Sequence, residues 1–258
     1  MTVKIKTDLL VIGAGAGGLS VAAGAAQLGI KVVLLEGDKM GGDCLNYGCV
    51  PSKALIAFSN QRKPKQFNNA MGFVRDAINE IEPHDSEERF RSLGVNVIRE
   101  YGQFVNETTV AAGAYEIQPR RIVIATGVHT PVPDISGLLD VQYYTNQTIF
   151  DLTKKPEHLL VLGGGPVGVE LAQAFARLGV NVTIFEKRKL LSNFSREQVE
   201  ILRVSLEEDG VTLKEDACVN NISKVGGKLL VQLKNDDKII GSHLLVATGK
   251  KPNLQNLN

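Results

Sequence analysis

The stretch LLVIGAGAGGLSVAAGAAQLGIKVVLLE (9–36) has the pattern of a strand, a Gly-rich turn, a helix and a second strand that ends on an acid. Its continuous apolar runs are typical of parallel strands that are buried on both faces. The helix is rich in Ala and Leu and closes at Gly29, as helices often close at a glycine. LLVLGGGPVGVELAQAFARLGVNVTIFE (159–186) repeats this pattern without a gap at an offset of 150, and 12 of the 28 positions are identical.

The repeat predicts an α/β protein with two Rossmann-like, three-layer dinucleotide-binding domains. We place them at residues 1–150 and 151–258. The remaining expectations are helices over 52–80, interrupted at Pro64, and over Ser86–Leu93 and Ser195–Asp209. We expect strands within 95–121, a buried strand over 122–127, and strands around 211–219, 228–234 and 238–248.

The Gly-rich turns predict dinucleotide binding, because each lies between a strand and a helix and is followed by an acid at the expected distance. In this pattern the first glycine makes the turn, the second admits a pyrophosphate, and the third lets helix and strand pack closely. The helix N-terminus attracts the phosphates. The alternative is a pair of turns that bind nothing. The residues concerned are Gly13, Gly15, Gly18 and Glu36 in the first copy, and Gly163, Gly165, Gly168 and Glu186 in the second.

Glu186 bears on the choice of nicotinamide coenzyme. An acid at this position accepts hydrogen bonds from a free ribose 2′-hydroxyl, which favours NADH, whereas a cation suits the 2′-phosphate of NADPH. Lys187, Arg188 and Lys189 follow immediately, so NADPH remains an alternative.

The segment GGDCLNYGCVPSK (41–53) contains two cysteines five positions apart, Cys44 and Cys49. Pro51 favours the first turn of a helix, so Cys49 is expected at a helix N-terminus, where the dipole favours a thiolate. The pair therefore predicts redox chemistry. The alternatives are two small buried side chains or a metal site, although this spacing is not usual for zinc and no further ligand lies nearby. Cys218 is interpreted as structural.

The composition excludes several classes of protein. Lys and Arg number 29 against 28 Asp and Glu, with no long basic run, which argues against nucleic-acid or membrane-surface binding. The N-terminus lacks a signal-peptide pattern, and no apolar stretch reaches the roughly 20 residues that span a bilayer. Together with nearby cysteines that are not part of a disulfide framework, these features predict a cytosolic protein.

The Gly-rich turns and the CLNYGC segment (44–49) together resemble class I flavoprotein pyridine nucleotide–disulfide oxidoreductases. That family includes dihydrolipoamide dehydrogenase, mercuric reductase and glutathione reductase. The resemblance covers essentially all 258 residues, and PSK after the second cysteine is more similar to the lipoamide and mercuric branches. It implies FAD in the first unit and NAD(P)H in the second.

The resemblance also implies individual roles. Cys49 would be the flavin-side thiol and Cys44 the interchange thiol that attacks the substrate. Lys53 would lie near flavin N5 and be kept charged by a buried Glu170. Further cofactor contacts implied are Gly42, Gly102 near the FAD adenine, Thr126 and Gly127 in the first Ala-Thr-Gly motif, Gly249 in the second, and Val219 near NAD.

The sequence departs from the family pattern in three respects. Asp43 stands where Thr is usual, next to the expected pyrophosphate, and Lys250 replaces a common Arg. Family members also continue for roughly another domain and a half. That continuation holds the rest of the FAD domain and an interface domain whose His–Glu dyad serves as acid and base. The resemblance therefore implies an incomplete FAD domain, no interface domain and a C-terminally truncated chain.

The leading hypothesis is an FAD-dependent oxidoreductase that links NAD(P)H to a dithiol, disulfide or metal-ion acceptor through Cys44 and Cys49. The acceptor would be a small or protein-bound disulfide or dithiol, or a metal ion, and the full-length form a homodimer. One alternative is a catalytically incomplete nucleotide-binding fragment. Another is a flavin reductase that does not use its cysteines.

Overall fold

The computed structural model describes residues 2–61 and 66–258. The α-helices of this part are α1 (Ala16–Gln27), α2 (Gly42–Asn46), α3 (Cys49–Ser59), α4 (Phe67–Ile81), α5 (Glu87–Ser92), α6 (Pro166–Arg177) and α7 (Arg196–Glu208). Short 3-10 helices cover Glu82–Asp85, Leu138–Asp140 and Ile149–Asp151. Within the described ranges, no helix is both long and apolar enough to cross a membrane.

The strands alternate with these helices along much of the chain. They are β1 (Val3–Ile12), β2 (Val32–Leu35), β3 (Asn96–Ile98), β4 (Gln103–Asn106), β5 (Thr109–Ala112), β6 (Tyr115–Ile124), β7 (Val128–His129), β8 (His158–Leu162), β9 (Asn181–Phe185), β10 (Val211–Lys214), β11 (Val219–Val225), β12 (Lys228–Leu233), β13 (Lys238–Gly241), β14 (His243–Val246) and β15 (Lys251–Pro252).

The chain divides into two compact units. Unit 1 comprises Met1–Val50, Asp76–His129 and Lys251–Asn258, and unit 2 comprises Pro51–Arg75 and Thr130–Lys250. This division does not follow the boundary placed near residue 150. Residues 251–258 belong with unit 1 because β15 pairs with β7, and because Leu257 is buried in the core of the unit 1 sheet.

The sheet of unit 1 has the strand order β3-β2-β1-β6-β5-β4. The first four strands are parallel, and β5 and β4 add an antiparallel extension. Leu19 and Ala22 on α1 pack on the same buried cluster as Val11 of β1. The predicted strand–turn–helix–strand pattern is therefore present, and it places the first Gly-rich turn at the carboxyl end of β1.

The last part of β6 is less buried than the apolar run 122–127 predicted. The strand ends at Ile124, which is 50% exposed. β6 pairs with β1 along its whole length, but with β5 only from Tyr115 to Ile117. Within the described chain, its last four residues (121–124) are therefore paired on one edge only, and this explains their exposure.

The main sheet of unit 2 has the order β10-β9-β8-β14, with every neighbouring pair parallel. This is the 3-2-1-4 order of a dinucleotide-binding half. Helix α6 buries Val169, Leu171 and Phe175. An antiparallel sheet of β11, β12 and β13 shares a buried cluster with β8 and β14 that includes Leu160, Val231 and Leu244.

Most local predictions agree with the structure. The predicted 52–80 helical region forms α3 and α4, and Pro64 lies outside the described residues. The predicted strand 211–219 is wrong in extent, because β10 ends at Lys214 and β11 begins at Val219. Asp216, between them, has a left-handed φ of 51°, which no regular strand adopts. The predicted strand 238–248 is likewise two strands, β13 and β14.

Two glycines of α1 give a matched test of this packing. A Cβ at Gly18 would overlap the carbonyl oxygen of Gly13, whereas a Cβ at Gly24 would meet nothing within 4 Å. Gly18→Ala should therefore lower the free energy of unfolding by about 1–3 kcal/mol through overpacking. Gly24→Ala should raise it by about 0.5–1 kcal/mol, because alanine favours a helix interior. Urea unfolding followed by circular dichroism measures both, and equal effects would contradict the assigned contact.

Candidate functional site

The first Gly-rich turn brings two backbone segments into close contact. Gly13 has a φ of 105°, and a side chain there would overlap the carbonyl group of Ala125. Helix α1 begins just after Gly15, and no described side chain caps its N-terminus. A helix end of this kind offers backbone N–H groups and a partial positive charge to an anion. The turn therefore fits a ligand that carries phosphates.

The Glu36 carboxylate lies directly at this turn. Its Oε2 accepts a hydrogen bond from the Ala14 N–H at 2.7 Å, and its Oε1 accepts one from the Asp38 N–H at 2.7 Å. Two backbone donors thus fix the carboxylate at the end of β2. This position suits an acceptor for ribose hydroxyls.

The second Gly-rich turn repeats this geometry at the same sequence offset. Gly163 has a φ of 111°. Glu186 Oε2 accepts from the Gly164 N–H at 2.8 Å, and its Oε1 accepts from the Arg188 N–H at 2.9 Å. Helix α6 follows Gly165 without a side-chain cap from the described residues. A Cβ at Gly168 would overlap the Gly163 carbonyl, just as one at Gly18 would overlap Gly13. The internal repeat is therefore a repeat of hydrogen bonds as well as of sequence.

The two Ala-Thr-Gly motifs lie beneath these turns. The motif at 125–127 contacts Gly13, and the motif at 247–249 contacts Gly163. The Thr126 carbonyl accepts a hydrogen bond from the Asn253 side-chain amide at 3.0 Å. Gly127 and Gly249 both have positive φ values, 67° and 123°. Each motif thus ends its strand with a sharp backbone turn beside a predicted nucleotide site.

The cysteine segment is attached to the first Gly-rich turn through its two leading glycines. The Gly41 N–H donates to the Ala14 carbonyl at 2.9 Å. A Cβ at Gly42 would lie 2.6 Å from the Cα of Gly15. This contact requires glycine on the cysteine side as well as in the turn. Unit 1 therefore places Cys44, in α2, immediately after the backbone that lines the turn.

Cys44 and Cys49 are both present as thiols, and a side-chain hydrogen bond joins them. Cys49 is exposed and begins α3, as the sequence predicts, whereas Cys44 is half-buried in α2. Burial, a side-chain hydrogen bond with Cys49 and the charges of Cys49, Asp85 and Asp43 raise the pKa of the Cys44 thiol to about 11. Cys44 therefore holds its proton at neutral pH.

Asp43, the residue that departs from the family pattern, is directed toward the loop between the cysteines. Its Oδ2 lies 3.0 Å from the position that a Cβ on Gly48 would occupy. The carboxylate is therefore close to the backbone of that loop. Its negative charge acts on Cys44, where it helps to raise the thiol pKa.

Lys53 and Glu170 form the ion pair that the resemblance implies. Lys53 Nζ lies 3.0 Å from Glu170 Oε1 and 2.8 Å from Oε2. The expectation that Glu170 is buried is wrong, because its side chain is 37% exposed and that of Lys53 is 60% exposed. Glu170 lies on the second turn of α6, between the buried Val169 and Leu171. The pair is thus a solvent-accessible contact within unit 2.

Gly102, Val219 and Cys218 each make contacts that stabilise the fold. A Cβ at Gly102 would lie 2.8 Å from Leu35, so glycine there permits close packing on the unit 1 core. Val219 packs against the apolar cluster of unit 2. The carbonyl of Cys218, just before β11, accepts a hydrogen bond from the Lys234 N–H at 2.9 Å.

Among the described residues, no group of three or more His, Cys, Asp or Glu is arranged to hold a metal ion.

Sequence reasoning missed two acids near the predicted sites. Asp85, at the end of a short 3-10 helix, acts electrostatically on Cys44 although 41 positions separate them. Asp216 forms an ion pair with Lys189, with 2.6 Å between Oδ2 and Nζ. Neither acid belongs to a motif. The left-handed backbone at Asp216 marks a local turn in the structure, but no sequence pattern predicts that turn.

Comparisons with known proteins agree with this geometry. A family model described as pyridine nucleotide-disulphide oxidoreductase matches residues 7–258. The chain is 34% identical to a mercuric reductase of Bacillus cereus, over 97% of this chain and 43% of that protein. It is 30% identical to a dihydrolipoyl dehydrogenase of Staphylococcus aureus, over 98% of this chain and 58% of that protein.

Solved structures give the same result. The chain superposes on the HOCl-induced flavoprotein disulfide reductase RclA from Escherichia coli, in its Cu(II) complex, with a TM-score of 0.91 and 29% identity. The match covers 97% of this chain and 58% of RclA. These matches confirm the resemblance and the fold class, and the predicted cofactors, FAD and NAD(P)H, are those of the family. The chain spans about half the length of the relatives that it matches.

The raised pKa of Cys44 predicts a distinctive pH profile for alkylation. The rate at Cys44 should continue to rise to about pH 11, beyond the ordinary thiol value of 9.0, because only the thiolate reacts. Cys49→Ala and Asp85→Asn should each shift the midpoint downward by removing a contribution that raises this pKa. Peptide mass spectrometry after pulses of iodoacetamide measures the profile, with Cys218 as an internal control. A midpoint at or below 9.0 would contradict the assignment.

Proposed function

Because the chain belongs to the pyridine nucleotide-disulphide oxidoreductase family, we propose that it carries the nucleotide-binding and dithiol parts of an oxidoreductase. The enzyme links NAD(P)H to a disulfide, dithiol or metal-ion acceptor. The observation that carries the proposal is the Cys44–Cys49 thiol pair, which follows two glycines that pack against a dinucleotide-type turn. It acts in a reducing compartment such as the cytosol, and its complete form is a homodimer.

The residues that hold the cofactors follow from the repeated turns. FAD would bind at the first turn, with its phosphates at Gly13, Gly15 and Gly18, its ribose at Glu36, and further contacts from Gly42, Gly102, Thr126 and Gly127. The nicotinamide coenzyme would bind at Gly163, Gly165, Gly168, Glu186, Val219 and Gly249. Glu186 favours NADH, because its carboxylate is already oriented by two backbone N–H groups.

Bound FAD supplies two-electron redox chemistry that links the nicotinamide to the thiols. Lys53 would provide a positive charge to a bound flavin, and Glu170 would orient the Lys53 side chain. Both oxygens of Glu170 accept from the Lys53 ammonium, which restricts the position of an otherwise flexible side chain. Lys53 follows Cys49 by four positions in α3, so one helix carries both groups.

The dithiol reduces a disulfide acceptor in two exchanges. The Cys44 thiolate attacks one acceptor sulfur, forms a mixed disulfide and releases the first acceptor thiolate, which takes up a proton. The Cys49 thiolate then attacks the Cys44 sulfur and releases the second acceptor thiolate, leaving the Cys44–Cys49 disulfide. Two electrons pass to the acceptor, and the two protons it gains balance those lost by the cysteines.

Cys44 needs a base for this attack. With a pKa of about 11, it is almost wholly protonated at neutral pH. Asp43 and Asp85 do not assist its ionisation, because their negative charges raise that pKa. The exchange therefore requires a base other than these two acids.

Thiol counting under anaerobic conditions tests the proposal. The chain is supplied with FAD, oxidised to the Cys44–Cys49 disulfide and treated with NADH. We expect two new thiols per chain, located at Cys44 and Cys49 by differential alkylation. Cys218→Ser should give the same result, whereas Cys44→Ser and Cys49→Ser should give none, because neither can form the disulfide.

Two results would contradict the proposal in different ways. A chain that binds NADH but retains no FAD would favour a nucleotide-binding fragment. NADH oxidation with oxygen or a quinone that persists in a Cys44→Ser/Cys49→Ser double variant, while the native chain gains no thiols, would favour a cysteine-independent flavin reductase.

A further inference from the structure

The segment that follows the second predicted ribose acceptor is fixed to a neighbouring loop by backbone hydrogen bonds. The Ala217 N–H donates to the Glu186 carbonyl at 3.0 Å, and the Asp216 N–H donates to the Arg188 carbonyl at 3.1 Å. These bonds hold the loop between β10 and β11 directly beside Glu186. Whatever charge this loop carries is therefore next to the predicted ribose position.

The loop carries two acids that act on the basic segment 187–189. Lys189 Nζ lies 2.6 Å from Asp216 Oδ2 and 3.7 Å from Glu215 Oε2. The hydrogen bond and charge of Asp216 raise the pKa of Lys189. Lys189 is thus held at the loop by charge as well as by position.

The two acids differ in their other partners. Glu215 is the more buried, accepts from the Leu190 N–H at 2.6 Å and pairs with Arg203 at 2.8 Å. Asp216 is 65% exposed, and Lys189 is its one ion-pair partner within the described residues. Glu215 therefore has a structural role of its own, whereas Asp216 acts mainly on Lys189.

The chemistry of the two coenzymes makes this pair significant. NADPH differs from NADH by a 2′-phosphate, and such a phosphate needs nearby cations. Lys189 is one of three consecutive cations after Glu186, and its charge is offset by Asp216. The carboxylate of Asp216 also adds negative charge beside the site, which repels a phosphate.

We propose that Asp216 is a coenzyme-specificity residue, which favours NADH over NADPH by offsetting the charge of Lys189 beside the predicted ribose position. This inference rests on the proposed nucleotide site at Gly163–Glu186. It adds a determinant from outside the Gly-rich motif, since Asp216 lies 30 positions beyond Glu186. Asp216 acts through Lys189 and through its own charge, without contact to the reacting atoms.

Binding measurements on the purified chain test this inference independently of catalysis. Isothermal titration gives the dissociation constants of NADH and NADPH for the native chain, Asp216→Asn, Lys189→Gln and the double variant. Asparagine suits the test because it tolerates the left-handed φ of 51° at this position and removes only the charge. Glu157→Gln is the matched control, because it removes the acid of another exposed ion pair of unit 2, with Lys228 at 2.9 Å.

The expected readout is the ratio of the NADPH to the NADH dissociation constant. Asp216→Asn should lower this ratio about five-fold, as one released surface charge contributes about 1 kcal/mol. Adding Lys189→Gln should reverse most of that change. The effect should shrink at about 1 M salt, where the screening length is about 3 Å. Glu157→Gln should leave the ratio unchanged.

Other outcomes distinguish a failure of the proposed nucleotide site from a failure of the proposed role of Asp216. If the native chain binds neither coenzyme, the proposed nucleotide site is wrong and the specificity role falls with it. If it binds NADH but Asp216→Asn leaves the ratio unchanged, only the role of Asp216 is overturned. An equal change in both dissociation constants would also overturn it, because it would show a general effect on the loop. A change in the ratio that persists in full in the double variant would overturn it as well, because it would show that Lys189 plays no part.

Discussion

The fold depends on close contacts between backbone segments at positions where only glycine leaves enough space. Gly18 packs on the carbonyl of Gly13, and Gly42 approaches Gly15 so closely that a Cβ would lie 2.6 Å from its Cα. The first contact lets α1 pack against β1, and the second lets the cysteine segment pack against the same turn. A single steric requirement therefore fixes both the nucleotide-type turn and the start of the dithiol segment. The rigid packing of protein interiors makes such contacts intolerant of even one added methyl group.

The electrostatic environment differs between the Gly-rich turns and the cysteine segment. The helix starts after Gly15 and Gly165 carry positive potential, and the Glu36 and Glu186 carboxylates lie at the same turns. These are the proposed sites for the phosphates and the ribose. Around Cys44 the environment disfavours negative charge, because burial and nearby acids favour the neutral thiol. Cys44 is therefore protonated at neutral pH, and the proposed exchange requires a base that removes this proton.

Sequence predicted what depends on local pattern. The repeat at an offset of 150 fixed two strand–turn–helix units, and the structure places Cys49 at the first position of α3 as Pro51 indicates. It could not predict what depends on distant pairing. The exposure of Ile124 follows from how far β5 extends along β6, and the position of Asp85 near Cys44 follows from tertiary packing. The assigned roles of individual site residues remain predictions.

The half-paired strand β6 has a consequence for the behaviour of the chain in solution. Its last four residues pair with β1 on one side, and within the described residues they have no strand on the other. Such a row of backbone donors and acceptors is a template onto which an extended segment can add as a new strand. Ile124 at its end adds an exposed apolar side chain. The end of β6 is therefore an edge at which two copies of this polypeptide can associate by strand pairing.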